Sequence, residues 1–125
     1  MAQAIFHYSM HFLVPGLLAW LLFRPVWKGA WMIMLASMLV DADHLLSTPI
    51  FSAGRCSIGF HPLHTGWAML VYGIMLLVPR PWVRMLAVGL LFHMLTDFID
   101  CLWMFSKCAG CCQHSSVQWV CGFFR

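Results

Sequence analysis

The sequence predicts an all-α, polytopic membrane protein: a four-transmembrane-helix bundle with a metal site near one membrane face. Three observations predict it. The 125 residues are 62% hydrophobic and 9% charged, with mean hydropathy +0.84, whereas a soluble domain carries roughly 25% charged residues. Four apolar runs approach the roughly 20 residues that cross a hydrocarbon core about 30 Å thick. The chain's four carboxylate side chains, Asp41, Asp43, Asp97 and Asp100, all fall at the ends of two of those runs.

In order, the runs are 4–23, 29–46, 62–78 and 82–105. The first is interrupted by His7, His11 and the Pro15-Gly16 pair. Pro15 kinks it, which is tolerable where neighbouring helices satisfy the freed carbonyl. Pro25, Pro79 and Pro81 fall in the connectors, where a missing N–H costs little. Trp20, Trp27, Trp31, Trp82 and Trp103 fall near predicted interfaces and suit an aromatic belt. The ten methionines read as helix-packing residues. The N-terminus has neither a basic region nor a small-residue cleavage site, so the first run reads as a retained span rather than a signal peptide. Residues 1–105 form the helical domain, and 106–125 form a Cys-rich tail.

Seven basic residues are spread among the loops, and no polybasic face suggests nucleic acid. Arg24, Lys28, Arg80 and Arg84 fall in loops one and three, against Arg55, Lys107 and Arg125 on the other side. The positive-inside tendency then places the termini and the polar cluster outside the cytoplasm.

Up-and-down topology brings alternate helix ends to one face. His7 and His11 begin the first helix, Asp41, Asp43 and His44 end the second, and His61 and His64 begin the third. His93, Asp97 and Asp100 lie late in the fourth. His7/His11 and His93/Asp97 are four apart, while Asp41/His44, His61/His64 and Asp97/Asp100 are three apart, so each pair shares a helical face. Asp41 and Asp43 cannot share a face in a regular helix. Either the helix ends there, or one of the two supports the other from behind.

Ionisable groups in a span cost roughly 2.5–3.5 kcal/mol each on insertion scales and mark function. Imidazole and carboxylate together suit a divalent metal such as zinc, manganese or iron. The expected ligands are His7, His11, Asp41, His44, His64, His93 and Asp97. That inventory exceeds one catalytic zinc and suits two ions bridged by an aspartate. A purely structural Asp–His network, a proton or ion pathway, and a haem held by His11 and His93 are the alternatives. Arg55 either meets lipid head groups or, with His61, grips a phosphate near the metal. Cys56 and Cys101 either pair with each other or pack as small residues. Cys108, Cys111, Cys112 and Cys121 suit disulfides in the tail more than a separate zinc with His114.

The pattern His11, Asp41-x-Asp43-His44, His61-x-x-His64 and His93-x-x-x-Asp97 resembles the membrane-bound metal-dependent hydrolases of bacteria, including the LexA-regulated group. From His7-Tyr8 to Asp100-Cys101 the chain is similar to an uncharacterised family of small bacterial integral membrane proteins. The shared elements include Arg55-Cys-Ser-Ile-Gly-Phe-His61-Pro-Leu-His64. More remotely, it resembles the zinc-dependent phospholipase C superfamily, which implies His93 and Asp97 as ligands, and more weakly Asp41, Asp43, His44 and His64. The resemblance implies a metal-dependent hydrolase.

The functional expectation is therefore a membrane-embedded metal-dependent hydrolase acting on a phosphoester or ester of a lipid or lipid-linked substrate. Asp100 or Asp43 would act as general base, and Arg55 and His61 would position the scissile group. The rivals are a divalent-cation or proton transporter and a metal-braced, non-catalytic membrane protein.

Overall fold

A computed structural model describes residues 2–46, 48 and 56–107. Among these residues every regular element is helical. Four α-helices form the bundle: α1 (Ala2–Leu22), α2 (Trp27–Ala36), α3 (Gly66–Met75) and α4 (Pro81–Lys107). A 3₁₀ segment, Ser37–Leu46, continues α2, and short 3₁₀ turns occupy Arg24–Val26 and Pro62–His64. Three segments are long and apolar enough to cross a membrane: Gln3–Leu22, Arg24–Leu46 and Pro81–Lys107.

Helix α4 is central. Its 27 residues span about 40 Å at 1.5 Å per residue, and it packs against α1, α2 and α3. Pro81 opens it, where the missing N–H is harmless. Leu90, His93, Met94, Asp97, Cys101 and Phe105 recur three or four apart and are all buried. The same stripe that makes the core therefore also carries the polar groups.

In α1, Pro15 lies mid-helix, and Trp31 of α2 lies across that turn. The Trp31 indole donates to the Phe12 carbonyl at 3.0 Å, and its ring lies over Gly16. A neighbouring helix thus supplies the donor that a proline-disturbed turn needs.

The second run does not continue as an α-helix. From Ser37 it winds with three residues per turn, and Ser37, Val40 and Asp43, spaced by three, are the buried ones. The Ser37 hydroxyl donates to the Met34 carbonyl at 2.6 Å where the winding tightens. In an α-helix Asp41 and Asp43 would stand about 160° apart, and here about 120° apart. Both can then reach the same interior.

The third run divides. Pro62–His64 forms a 3₁₀ turn, Thr65 is extended, and α3 then runs for ten residues, roughly 15 Å. Thr65 caps α3 by accepting from the Ala68 N–H and donates to the Pro62 carbonyl. That break leaves α3 shorter than α1 and α4, and His64 is fully buried. A Cys56–Cys101 disulfide, with Cα atoms 5.3 Å apart, fastens the segment before this turn to α4.

At the end of the bundle where α2 and α4 begin, Ala19, Ala30, Met34 and Met85 form an apolar core. There α2 and α4 touch closely: a Cβ on Gly89 would lie 2.9 Å from the Met34 Cα. Gly89→Ala is expected to destabilise the protein by about 1–3 kcal/mol through overpacking. Gly73→Ala, where a Cβ meets nothing within 4 Å, should be neutral or stabilising. Thermal unfolding of both variants in detergent checks the contrast.

Candidate metal centre

Four segments deliver His and Asp side chains to one end of the bundle. Four atoms form a closed ring: Asp41 Oδ1, His64 Nε2, Asp97 Oδ2 and His93 Nε2. Around it, the separations are 3.3 Å (Asp41–His64), 3.1 Å (His64–Asp97), 3.5 Å (Asp97–His93) and 3.1 Å (His93–Asp41). His64, His93 and Asp97 are almost completely buried, at 0%, 1% and 4% exposure. The Asp41 side chain is 38% exposed and marks the open side.

The contacts are close, but most are not aligned as hydrogen bonds. His93 Nε2 bonds Asp41 Oδ1, whereas His64 Nε2 and Asp97 Oδ2 are buried with no hydrogen-bond partner among the described residues. These two atoms lie 3.1 Å apart without the alignment of a hydrogen bond. Buried polar groups are ordinarily hydrogen-bonded. A set that converges with only one aligned internal hydrogen bond is therefore chemically incomplete.

His64 is held from behind. Asp43 Oδ2 lies 3.1 Å from His64 Nδ1 and accepts the Leu63 backbone N–H at 2.9 Å. A carboxylate on Nδ1 fixes the proton there and leaves Nε2 as the lone pair facing the ring. The carboxylates at this point call for a cation. Tyr72 of α3 completes the support by donating to the Leu63 carbonyl at 3.0 Å.

Asp97 also faces a second group. Its Oδ1 lies 3.4 Å from His11 Nε2, and the His11 ring stands 4.4 Å from both the His7 and His93 rings. His7 Nδ1 is 3.9 Å from Asp100 Oδ2, and Asp100 Oδ1 accepts from Gln3 Nε2 at 2.8 Å. Metal-compatible groupings comprise Asp41, His64, His93 and Asp97; His7, His11 and Asp97; and Asp43, His44 and His64.

His44 stands beside the four-atom ring. Its Nδ1 lies 3.2 Å from the Asp41 carbonyl, which can only accept, so that nitrogen carries the proton. Its Nε2 then accepts from the Ser57 hydroxyl at 3.1 Å. Nδ1 is equally close, at 3.2 Å, to Asp43 Oδ1, but that oxygen has no aligned hydrogen bond. The Asp41 carbonyl is the aligned partner of Nδ1. His61 is buried and stacks on His44 at 3.9 Å. Arg55 and the cysteines of the tail beyond Lys107 lie outside the described residues.

The sequence reading passed over Gln3 and Tyr72. Gln3 was legible, since it precedes His7 by four and shares its face. Tyr72 was not, because its partner is a backbone carbonyl in a turn.

A family described as of unknown function, DUF6122, matches residues 1–104, which contain every group of the cluster. No curated protein and no solved structure matches the chain.

Asp43→Ala removes the acceptor of both the Leu63 N–H and His64 Nδ1. It is expected to cost about 1–3 kcal/mol for the buried donors left behind. Hydrogen exchange should rise at Leu63 and His64 and stay unchanged in α1.

Proposed function

The chain belongs to the DUF6122 family, and from that premise we propose that it is a membrane-embedded, zinc-dependent hydrolase acting on a phosphoester or ester of a lipid-like substrate. One observation carries the reading. Ligand atoms about 2.0–2.1 Å from a tetrahedral zinc stand roughly 3.3 Å apart; four of the six separations in the Asp41–His64–Asp97–His93 set measure 3.1–3.5 Å, and the four residues offer ligand atoms within 4.8 Å of one another. Two imidazoles and two carboxylates are a suitable zinc donor set, and the two negative charges offset the ion's charge in a low-dielectric setting.

A bound zinc lowers the pKa of a coordinated water towards about 7 and stabilises developing negative charge. The chain's own residues do the rest. Asp43 keeps His64 in the tautomer that presents Nε2. Half-exposed Asp41 stands at the mouth, where water and substrate enter. Of the two aspartates outside the ring, Asp43 is buried and engaged by the 62–64 turn, while Asp100 is open to solvent. Asp100 is therefore the proposed general base. Exposed Tyr8, Phe12, Leu39, Phe60 and Leu63 surround this end of the bundle and suit an acyl chain or isoprenoid beside the polar head. A conduit for ions would need polar groups through the other half, where Ala19, Ala30, Met34 and Met85 pack instead.

The Cys56–Cys101 disulfide supports a site on the non-cytoplasmic side of a bacterial inner membrane, because disulfides persist in oxidising compartments. It agrees with the bias of basic residues towards the opposite loops.

The protein purified in detergent is expected to contain tightly held zinc, lost in Asp41→Asn and His93→Ala. It should hydrolyse bis-p-nitrophenyl phosphate, or phosphatidylglycerol in mixed micelles, only when loaded. Full zinc occupancy with neither substrate cleaved would make the ion a structural brace. Zinc uptake into liposomes would make the protein a transporter.

Sidedness has its own test, in a chain with the four tail cysteines changed to serine. After an impermeant reductant, an impermeant maleimide should label Cys56 and Cys101 in intact cells. Labelling only after lysis places the site in the cytoplasm.

A further inference from the structure

The bridging geometry of Asp97 extends beyond one ion. Its Oδ2 belongs to the ring with His64 and His93, while its Oδ1 points away towards α1 and lies 3.4 Å from His11 Nε2. His11 is 3% exposed, and its Nε2 has no hydrogen-bond partner among the described residues. His7 Nδ1 is likewise buried without a hydrogen bond. His7, His11 and Asp97 each offer one atom within 4.8 Å of the others. His7 and His11 occupy successive turns of α1, so both imidazoles reach the same side of α4.

We propose that His7, His11 and Asp97 hold a second divalent transition-metal ion, with the Asp97 carboxylate bridging it to the ion in the Asp41–His64–His93 site. The inference rests on the proposed function and deepens it. Two unpartnered imidazole nitrogens beside one carboxylate oxygen form an N₂O donor set typical of a zinc site with open positions. Charge supports the count as well. The chain's only four carboxylate side chains meet at this end of the bundle. One divalent ion leaves two of them uncompensated, and two ions balance all four, which matters where solvent screening is weak. Asp100, 3.9 Å from His7 Nδ1 and anchored by Gln3, borders the second ion's open face.

A pair of ions sharing a carboxylate fits a phosphoester better than a carboxylic ester. Two-metal sites stabilise both the attacking and the leaving oxygen of an in-line displacement. Water adds to phosphorus as the bond to the leaving alkoxide breaks. The water's proton goes to Asp100, and the alkoxide is protonated from solvent. The proposed substrate is therefore a phosphodiester or phosphomonoester whose non-bridging oxygens span the two ions.

The test uses the full-length protein in detergent, loaded with Zn²⁺ for elemental analysis and with Mn²⁺ for electron paramagnetic resonance. Wild type is expected to hold two ions per chain and to give the spectrum of an exchange-coupled Mn²⁺ pair. His7→Ala and His11→Gln should each keep one ion and give an uncoupled spectrum. His64→Ala should lose the other ion, and Asp97→Ala both. One ion per wild-type chain at saturating metal, unchanged by His7→Ala and His11→Gln but lost in His64→Ala, overturns the second site and leaves the first standing. No metal in wild type, or metal unaffected by both His64→Ala and Asp97→Ala, removes the proposed function itself.

Discussion

The polar end of the bundle depends on one carboxylate. Asp97 sits on the buried stripe of the central helix, with one oxygen turned towards His64 and His93 and the other towards His11. Each imidazole comes from a different segment, so this one side chain ties together α1, the 62–64 turn and α4. A buried carboxylate among apolar helices is unfavourable unless positive charge or hydrogen-bond donors surround it. The surrounding architecture can be understood as meeting that requirement.

Three devices position the partners. Tight 3₁₀ winding after Ser37 swings Asp41 and Asp43 to within one-third of a turn of each other, so one lines the ring and the other grips His64. Long 3₁₀ runs are unfavourable, and this one ends at the cluster, which suggests that the winding is retained for what it places there. The extended Thr65 separates the 62–64 turn from α3 and lets His64 enter the interior. The Cys56–Cys101 disulfide then holds the approach to that turn against α4, one helical turn beyond Asp97. At the opposite end, the close contact of Gly89 with Met34 leaves little room for a polar path.

The supporting interactions differ in kind from the converging ones. Asp43 to His64 and Leu63, Tyr72 to Leu63, and Gln3 to Asp100 are made between atoms that satisfy each other. Of the ring atoms only His93 Nε2 and Asp41 Oδ1 bond each other, while His64 Nε2, Asp97 Oδ2 and the His7 and His11 nitrogens are left unsatisfied among the described residues. This contrast between satisfied supports and unsatisfied centre is what a preorganised coordination site requires, because the ligands must be held without consuming their lone pairs.

Much of this was legible in the residues. Hydropathy alone gave the helical membrane class, and the i, i+3 and i, i+4 spacings of His7/His11, Asp41/His44 and His93/Asp97 put those side chains on common faces, because helical geometry is local. Pairing Cys56 with Cys101 was one of two readings the sequence left open. What the sequence could not decide depended on non-local packing. The clash of Asp41 and Asp43 in a regular helix left two readings open, a helix end or one carboxylate behind the other, but gave no sign that all of 37–46 winds as 3₁₀. The sequence also could not say that His64 enters the ring while His61 and His44 stack beside it, since both pairs have the spacing of a shared face. Only the fold decided which oxygen of Asp97 meets which imidazole. Spacing fixes the direction of a side chain relative to its own helix, whereas coordination geometry depends on where the other helices stand.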